Sequence, residues 1–196
     1  MDLEKAKSYI LNLLQQKLLP TYYYHDYHHT LDVHQATLHL MEKENLDPGE
    51  RPLLETAALY HDSGMISTYD GHEEAATHIT REVLPSLGYS PSQIDRINRL
   101  ILVTQHPQTS ETLSEMILCD ADLDYLGRED FLIGSLKLRL EWEVHRHHQV
   151  NLREWLLSEI DFLQNHVYLT GSGKRLREPG KQKNLLYLRQ LIERTS

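Results

Sequence analysis

Apolar residues recur along this chain at intervals of three and four, and no window alternates convincingly with period two. Leu3, Ala6, Ile10, Leu13 and Leu14 form the first such stripe, which Pro20 stops. The same spacing predicts helices over about 29–44, 52–61, 72–84 and 92–104. Pro48-Gly49, Pro85 and Pro107 stand where three of them end. A short helix precedes Asp120, longer ones cover about 130–147 and 151–167, and a last one covers 184–194. The segment 170–183 (TGSGKRLREPGKQK) is poor in apolar residues and reads as a flexible loop. Thirty-five Leu against six Val agree with helix, because unbranched side chains lose little rotamer freedom there. The expected architecture is all-α: one domain over residues 1–196, a helical bundle without internal repeats.

Composition narrows the function classes. The 196 residues carry a formal charge of −9, a poor match to a phosphate backbone or an anionic membrane surface. No apolar run approaches the roughly 18 residues of a membrane span. One cysteine, Cys119, rules out an internal disulfide and any Cys-rich metal site, and fits a reducing compartment. The start MDLEK lacks an apolar leader, so a cytoplasmic location is expected.

The unusual count is 13 histidines. Three tempting motifs fail. Gly171-Ser172-Gly173-Lys174-Arg175 lacks both the earlier glycine and the Ser/Thr after lysine that a phosphate loop needs. His72-Glu73-Glu74-Ala75-Ala76 has no histidine at 76, and His78 falls off the face that a metalloprotease helix would use. His145-Arg146-His147-His148 follows Glu141 and Glu143 on a mixed-charge helix end and reads as a solvated face.

A different set survives. His29, Val33, Ala36 and Leu40 share one helical face; so do His72, Ala76, Ile79 and Val83, and so do Leu54, Ala58 and His61. Three histidines therefore begin or end inward-facing stripes, the way helical bundles assemble metal sites. His61 ends its helix, which lets the adjacent Asp62 turn to the same centre. Later, Asp120, Asp122 and Asp124 interrupt an apolar stretch, where carboxylates are costly unless paired or metal-bound.

The order His…His-Asp…Asp resembles the signature of the HD superfamily of metal-dependent phosphohydrolases. Tyr24-His25-Asp26-Tyr27-His28-His29-Thr30-Leu31-Asp32-Val33 is similar to the Y-H-N-x-x-H-A-x-D-V stretch of cyclic nucleotide phosphodiesterases, with Asp26 where Asn is usual. Ala58-Leu59-Tyr60-His61-Asp62-Ser63-Gly64 resembles the L-x-H-D-x-G core. The resemblance spans roughly residues 24–128. It implies His29, His61, Asp62 and Asp122 as metal ligands, with Asp120 as the alternative to Asp122. It adds His72 and His106 for a second ion and gives Asp62 a bridging, catalytic part. His25 becomes the proton donor, sitting before its helix starts, with Asp26 or another nearby carboxylate holding its ring.

The implied cofactors are one or two divalent transition-metal ions: Fe, Mn, Co, Ni or Zn. The implied substrate is a nucleotide or another small phosphate mono- or diester. Arg128, Lys174, Arg175 and Arg177 are the cations available to a phosphate. Two other outcomes stay open: a non-catalytic ligand-binding or signalling module, and a di-iron oxygenase. No membrane or nucleic-acid partner is expected. Nothing beyond residue 128 matches a motif, so substrate identity would be encoded there.

Overall fold

The computed structural model describes residues 1–147 and 149–194; His148, in the histidine run above, lies outside them. Among the described residues there are nine α-helices and no strand. The first six are α1 (Leu3–Lys17), α2 (Tyr27–Lys43), α3 (Arg51–Tyr60), α4 (His72–Val83), α5 (Pro91–Leu102) and α6 (Leu113–Asp122). Each start has a local cause. Asp2 and Asp26 accept backbone N–H groups at the openings of α1 and α2, and Ser90 and Thr112 head capping boxes at α5 and α6. These six helices enclose one apolar cluster that includes Ile10, Leu14, Leu54, Tyr60, Ile97 and Leu100.

A short 3-10 turn, Asp124–Gly127, leads to α7 (Phe131–His145), α8 (Leu152–Asn165) and α9 (Gly171–Arg194). They form a second cluster with Leu123 and Leu126, built on Phe131, Trp155, Tyr168 and Leu188. No helix of the described residues is long and apolar enough to cross a membrane.

The expected loop at 170–183 is instead the first half of α9, which runs through Pro179. Polar anchors, invisible to a hydrophobicity pattern, hold it. Thr170 accepts the Gly173 N–H at 2.9 Å, as a helix cap does. The buried Asp120 carboxylate accepts the Leu169 and Thr170 N–H groups at 2.7 and 2.8 Å and the Thr170 hydroxyl at 2.7 Å. The buried Lys181 ammonium donates to the His166 carbonyl at 2.5 Å. Asn184 donates to the Leu126 and Arg128 carbonyls at 2.9 and 2.8 Å.

The glycines that suggested a loop serve a close crossing. A Cβ on Gly180 would strike the Gly127 carbonyl, and one on Gly127 would strike the Arg177 carbonyl. Gly180→Ala is therefore expected to destabilise the protein by about 2 kcal/mol or more, since backbone must shift. Urea unfolding checks it, with the exposed Lys183→Ala on the same helix as the unaffected control.

Candidate metal centre

Four helix ends deliver the central side chains. His29 sits in the first turn of α2, whose start Asp26 sets by accepting the His29 N–H at 2.9 Å. Asp26 thus caps the helix; it does not hold the His25 ring. α3 stops at Tyr60, and His61 and Asp62 follow as the chain enters a 3-10 turn, Ser63–Ile66. A Cβ on Gly64 would collide with the His72 carbonyl oxygen, so this glycine lets the turn lie against the start of α4. That approach brings His72 to Asp62. Asp122 is the last residue of α6.

The geometry is tight. The His29 Nε2 lies 3.3 Å from Asp62 Oδ2 and 3.5 Å from Asp122 Oδ1; the His61 Nε2 lies 3.1 and 3.5 Å from the same two oxygens. The ligand atoms of His29, His61 and Asp122 all fall within 4.8 Å of one another. The His72 Nε2 stands 3.3 Å from the other Asp62 oxygen, Oδ1.

Two of the rings have assigned tautomers. His61 Nδ1 is 2.8 Å from the Ala58 carbonyl and His72 Nδ1 is 2.8 Å from the Tyr69 carbonyl. A carbonyl only accepts, so each Nδ1 carries a proton and each neutral ring turns the Nε2 lone pair inward. The buried His29 Nε2, His61 Nε2 and Asp62 Oδ2 nevertheless make no hydrogen bond. Three buried polar atoms left unmatched around one point fit a divalent transition-metal ion, for which imidazole and carboxylate are suitable donors.

Without an ion these groups stabilise one another through charge. Burial opposes a charged His29, but the adjoining Asp122 and Asp62 carboxylates prevail and raise its pKa to about 9. For His72 burial again opposes, and Asp62 prevails, raising it to about 9. His61 is likewise held well above the usual histidine range. Burial disfavours the charged carboxylates, yet the surrounding rings hold Asp62 and Asp122 below the usual range.

Beside this centre opens a cavity of about 700 Å³. His25, Asp62, His72 and Asp122 line one end; α7 and α8 supply much of the rest through residues such as Trp142, Trp155 and Phe162. His25 precedes α2, as its position in the sequence suggested, and its ring lies 5.7 Å from those of His29 and His72. Its Nδ1 makes a short bond to Glu141 Oε1, and Glu141 also accepts the His25 and Tyr24 N–H groups at 3.0 and 2.9 Å and the Tyr69 hydroxyl at 3.0 Å.

Glu141, on α7, is fully buried. Burial works against its charge, but the His25 ring and the two N–H groups hold its carboxyl below the usual range. Of the histidine run, Arg146 and His147 are exposed as a solvated face requires, while the half-buried His145 ring stacks on Tyr22 with centroids 4.4 Å apart; Glu141, just before the run, faces inward. Only charge alternation was legible in that segment; the partner, 116 residues away, was not.

The remaining expectations separate. Asp120 points away from the centre to the start of α9, and Asp124 pairs with Arg177 at 2.6 Å. His106 is not brought to the central cluster. α5 has ended at Leu102, and the exposed His106 ring lies edge-on to Phe162, 5.8 Å between centroids, on the cavity rim. Arg128, Lys174, Arg175 and Arg177 do not line this cavity; its permanent cation is Arg146, 4.5 Å over Trp142 and 3.3 Å from Asp70.

The family model for the HD domain matches residues 26–124. The crystal structure of Bacillus subtilis YpgQ in complex with ADP is similar in fold: TM-score 0.67, 18% identity, 97% of this chain and 93% of that one covered. A predicted HD superfamily hydrolase from an uncultured Thermotogales bacterium is also similar, with TM-score 0.62, 19% identity and coverage of 96% and 92%. No curated protein matches the chain.

The raised histidines set a pH dependence for the metal-free protein. Between about 6.5 and about 9 the folded chain holds protons on His29 and His72 that the unfolded chain has released. Their contribution is complete below about 6.5 and lost as pH rises through about 9. The urea midpoint, measured in chelator at pH 6.5 and 9, is expected to fall; a level or rising midpoint contradicts the charge assignment.

Proposed function

We propose, for a chain that belongs to the HD-domain family, that the cavity is the active site of a metal-dependent phosphohydrolase acting on a nucleotide or similar small phosphate ester. The observation that carries the reading is the trio of unmatched buried atoms, His29 Nε2, His61 Nε2 and Asp62 Oδ2, of which Asp62, with Asp122 and His72, lines one end of a substrate-sized cavity. His29, His61, Asp62 and Asp122 would hold one ion. His72 and the second oxygen of Asp62 are the protein donors for a neighbouring one, while His106 belongs to the rim. A bound divalent ion supplies Lewis acidity toward phosphoryl oxygens and lowers the pKa of water.

The chain's own residues do the rest. The Ala58 and Tyr69 carbonyls keep His61 and His72 in the tautomer that presents Nε2. Glu141 fixes the His25 ring through Nδ1 and leaves Nε2 free to face the cavity. His25 can then donate its other proton, from Nε2, to the leaving oxygen. Arg146 offers a positive charge at the cavity for phosphate oxygens. The ADP bound to the Bacillus subtilis protein of like fold makes a nucleotide the first substrate class to try.

Elemental analysis of the purified protein, then a phosphate-release screen over nucleotides with Mn²⁺, Co²⁺, Ni²⁺, Zn²⁺ or Fe²⁺, tests the reading. Metal bound by wild type and lost in His61→Ala, together with nucleotide turnover, is expected; a metal-free, inert protein overturns it. His25→Ala should lower kcat by roughly 10²–10⁴-fold while metal content holds. Turnover of a p-nitrophenyl phosphate ester should fall less, because that leaving group needs no proton. Equal loss on both substrates, or loss of metal, contradicts the proton-donor role.

A further inference from the structure

The end of the cavity away from the metal centre is built by α7 and α8, beyond the segment matched to the family. Trp155, Glu159 and Phe162 recur at i, i+4 and i+7 along α8, one helical face turned to the cavity. Trp142 of α7 meets Trp155 edge to face, 5.1 Å between centroids. In this aromatic wall the carboxyl is out of place. Glu159 is 6% exposed, and its Oε2 has no hydrogen-bond partner.

Its neighbour Ser135 has a second partner. The Trp155 indole donates to Ser135 Oγ at 2.9 Å, which leaves the Ser135 hydroxyl proton for the Glu159 carboxyl. The carboxyl oxygen Oε2 is left without a donor. A buried acceptor without a donor is costly, and one on a side chain that lines a cavity can be met when the carboxyl turns toward a ligand that brings the donor. Tyr125 ties the two ends of the cavity together: its phenol is close enough to feel both the Glu159 and the Asp122 charge.

Resting on the phosphohydrolase reading, we propose that Glu159 determines substrate specificity, its unmet carboxyl oxygen accepting an N–H from the exocyclic amino group of a nucleobase. The base would lie against Trp142, Trp155 and Phe162, with its phosphates toward His29, His61, Asp62 and Asp122. A flat ring suits an aromatic wall, and an amino group suits a lone carboxylate. Adenine, cytosine and guanine carry such a group. Uracil offers only an N–H flanked by two carbonyls, which a carboxylate repels, and is disfavoured.

The test compares kcat/KM for ATP, CTP, GTP and UTP in the full chain loaded with Mn²⁺, at pH 8, for wild type, Glu159→Met and Glu159→Gln. Burial pushes the Glu159 pKa up to about 7, so pH 8 keeps most of it ionised. Wild type should prefer the three amino-bearing nucleotides to UTP. Glu159→Met keeps the volume and removes the acceptor; it should lose about 10–100-fold on those three and less than about threefold on UTP.

Glu159→Gln gives the site a donor for a uracil carbonyl and should narrow the gap to UTP, which decides the matter if Glu159→Met fails to fold by circular dichroism. Nucleotide turnover whose base preference neither variant changes overturns the role of Glu159 and leaves the phosphohydrolase reading standing. A wild-type protein that binds metal but turns over no nucleotide overturns the nucleotide reading and this proposal with it.

Discussion

Asp62 and Asp122 are carboxylates held where water scarcely reaches, and a lone buried carboxylate is one of the most expensive things a protein can contain. Each is offset by the same two rings, His29 and His61, at 3.1–3.5 Å. Much of the architecture follows from keeping these four together. α2 must begin where Asp26 caps it so that His29 faces inward. α3 must stop before His61, and α6 must run to Asp122. Gly64 must lack a side chain so that His72 can approach Asp62.

The two ends of the cavity come from different parts of the chain. Residues 26–124, the segment matched to the HD domain, supply the His/Asp cluster. α7 and α8 supply the aromatic wall, Arg146 and Glu159. The His/Asp cluster and the aromatic wall are thus separated along the sequence, with Tyr125 between them. The acidic triplet 120, 122, 124 shows the same economy on a smaller scale. One carboxylate turns to the metal face, one anchors α9 and one pairs with Arg177.

What could be read in advance was what local pattern encodes. Helix periodicity, caps and the inward stripes of His29, His61 and His72 are local, and the all-α fold follows from them. α9 was misread because its contacts are of a kind that pattern does not register. Pro179 and Gly180 announce a loop, yet Gly180 exists to let two backbones touch. Glu141 was missed for a related reason. Among Arg139, Glu143 and Arg146 it looks like one more surface charge, and only tertiary structure sets it against His25. His106 has the residue type and roughly the interval that the resemblance implies, and it stands at the cavity rim past the end of α5.

Glu141 also constrains how such a protein can diverge. It is adjacent in sequence to Trp142, so one turn of α7 carries both the anchor of His25 and part of the aromatic cavity wall. Changes in α8 at Glu159 and Phe162 leave the Glu141–His25 contact untouched, because neither residue takes part in it. Changes in α7 are under joint inheritance: an insertion or register slip that remodels the wall also withdraws the carboxylate from His25, Tyr24 and Tyr69 together.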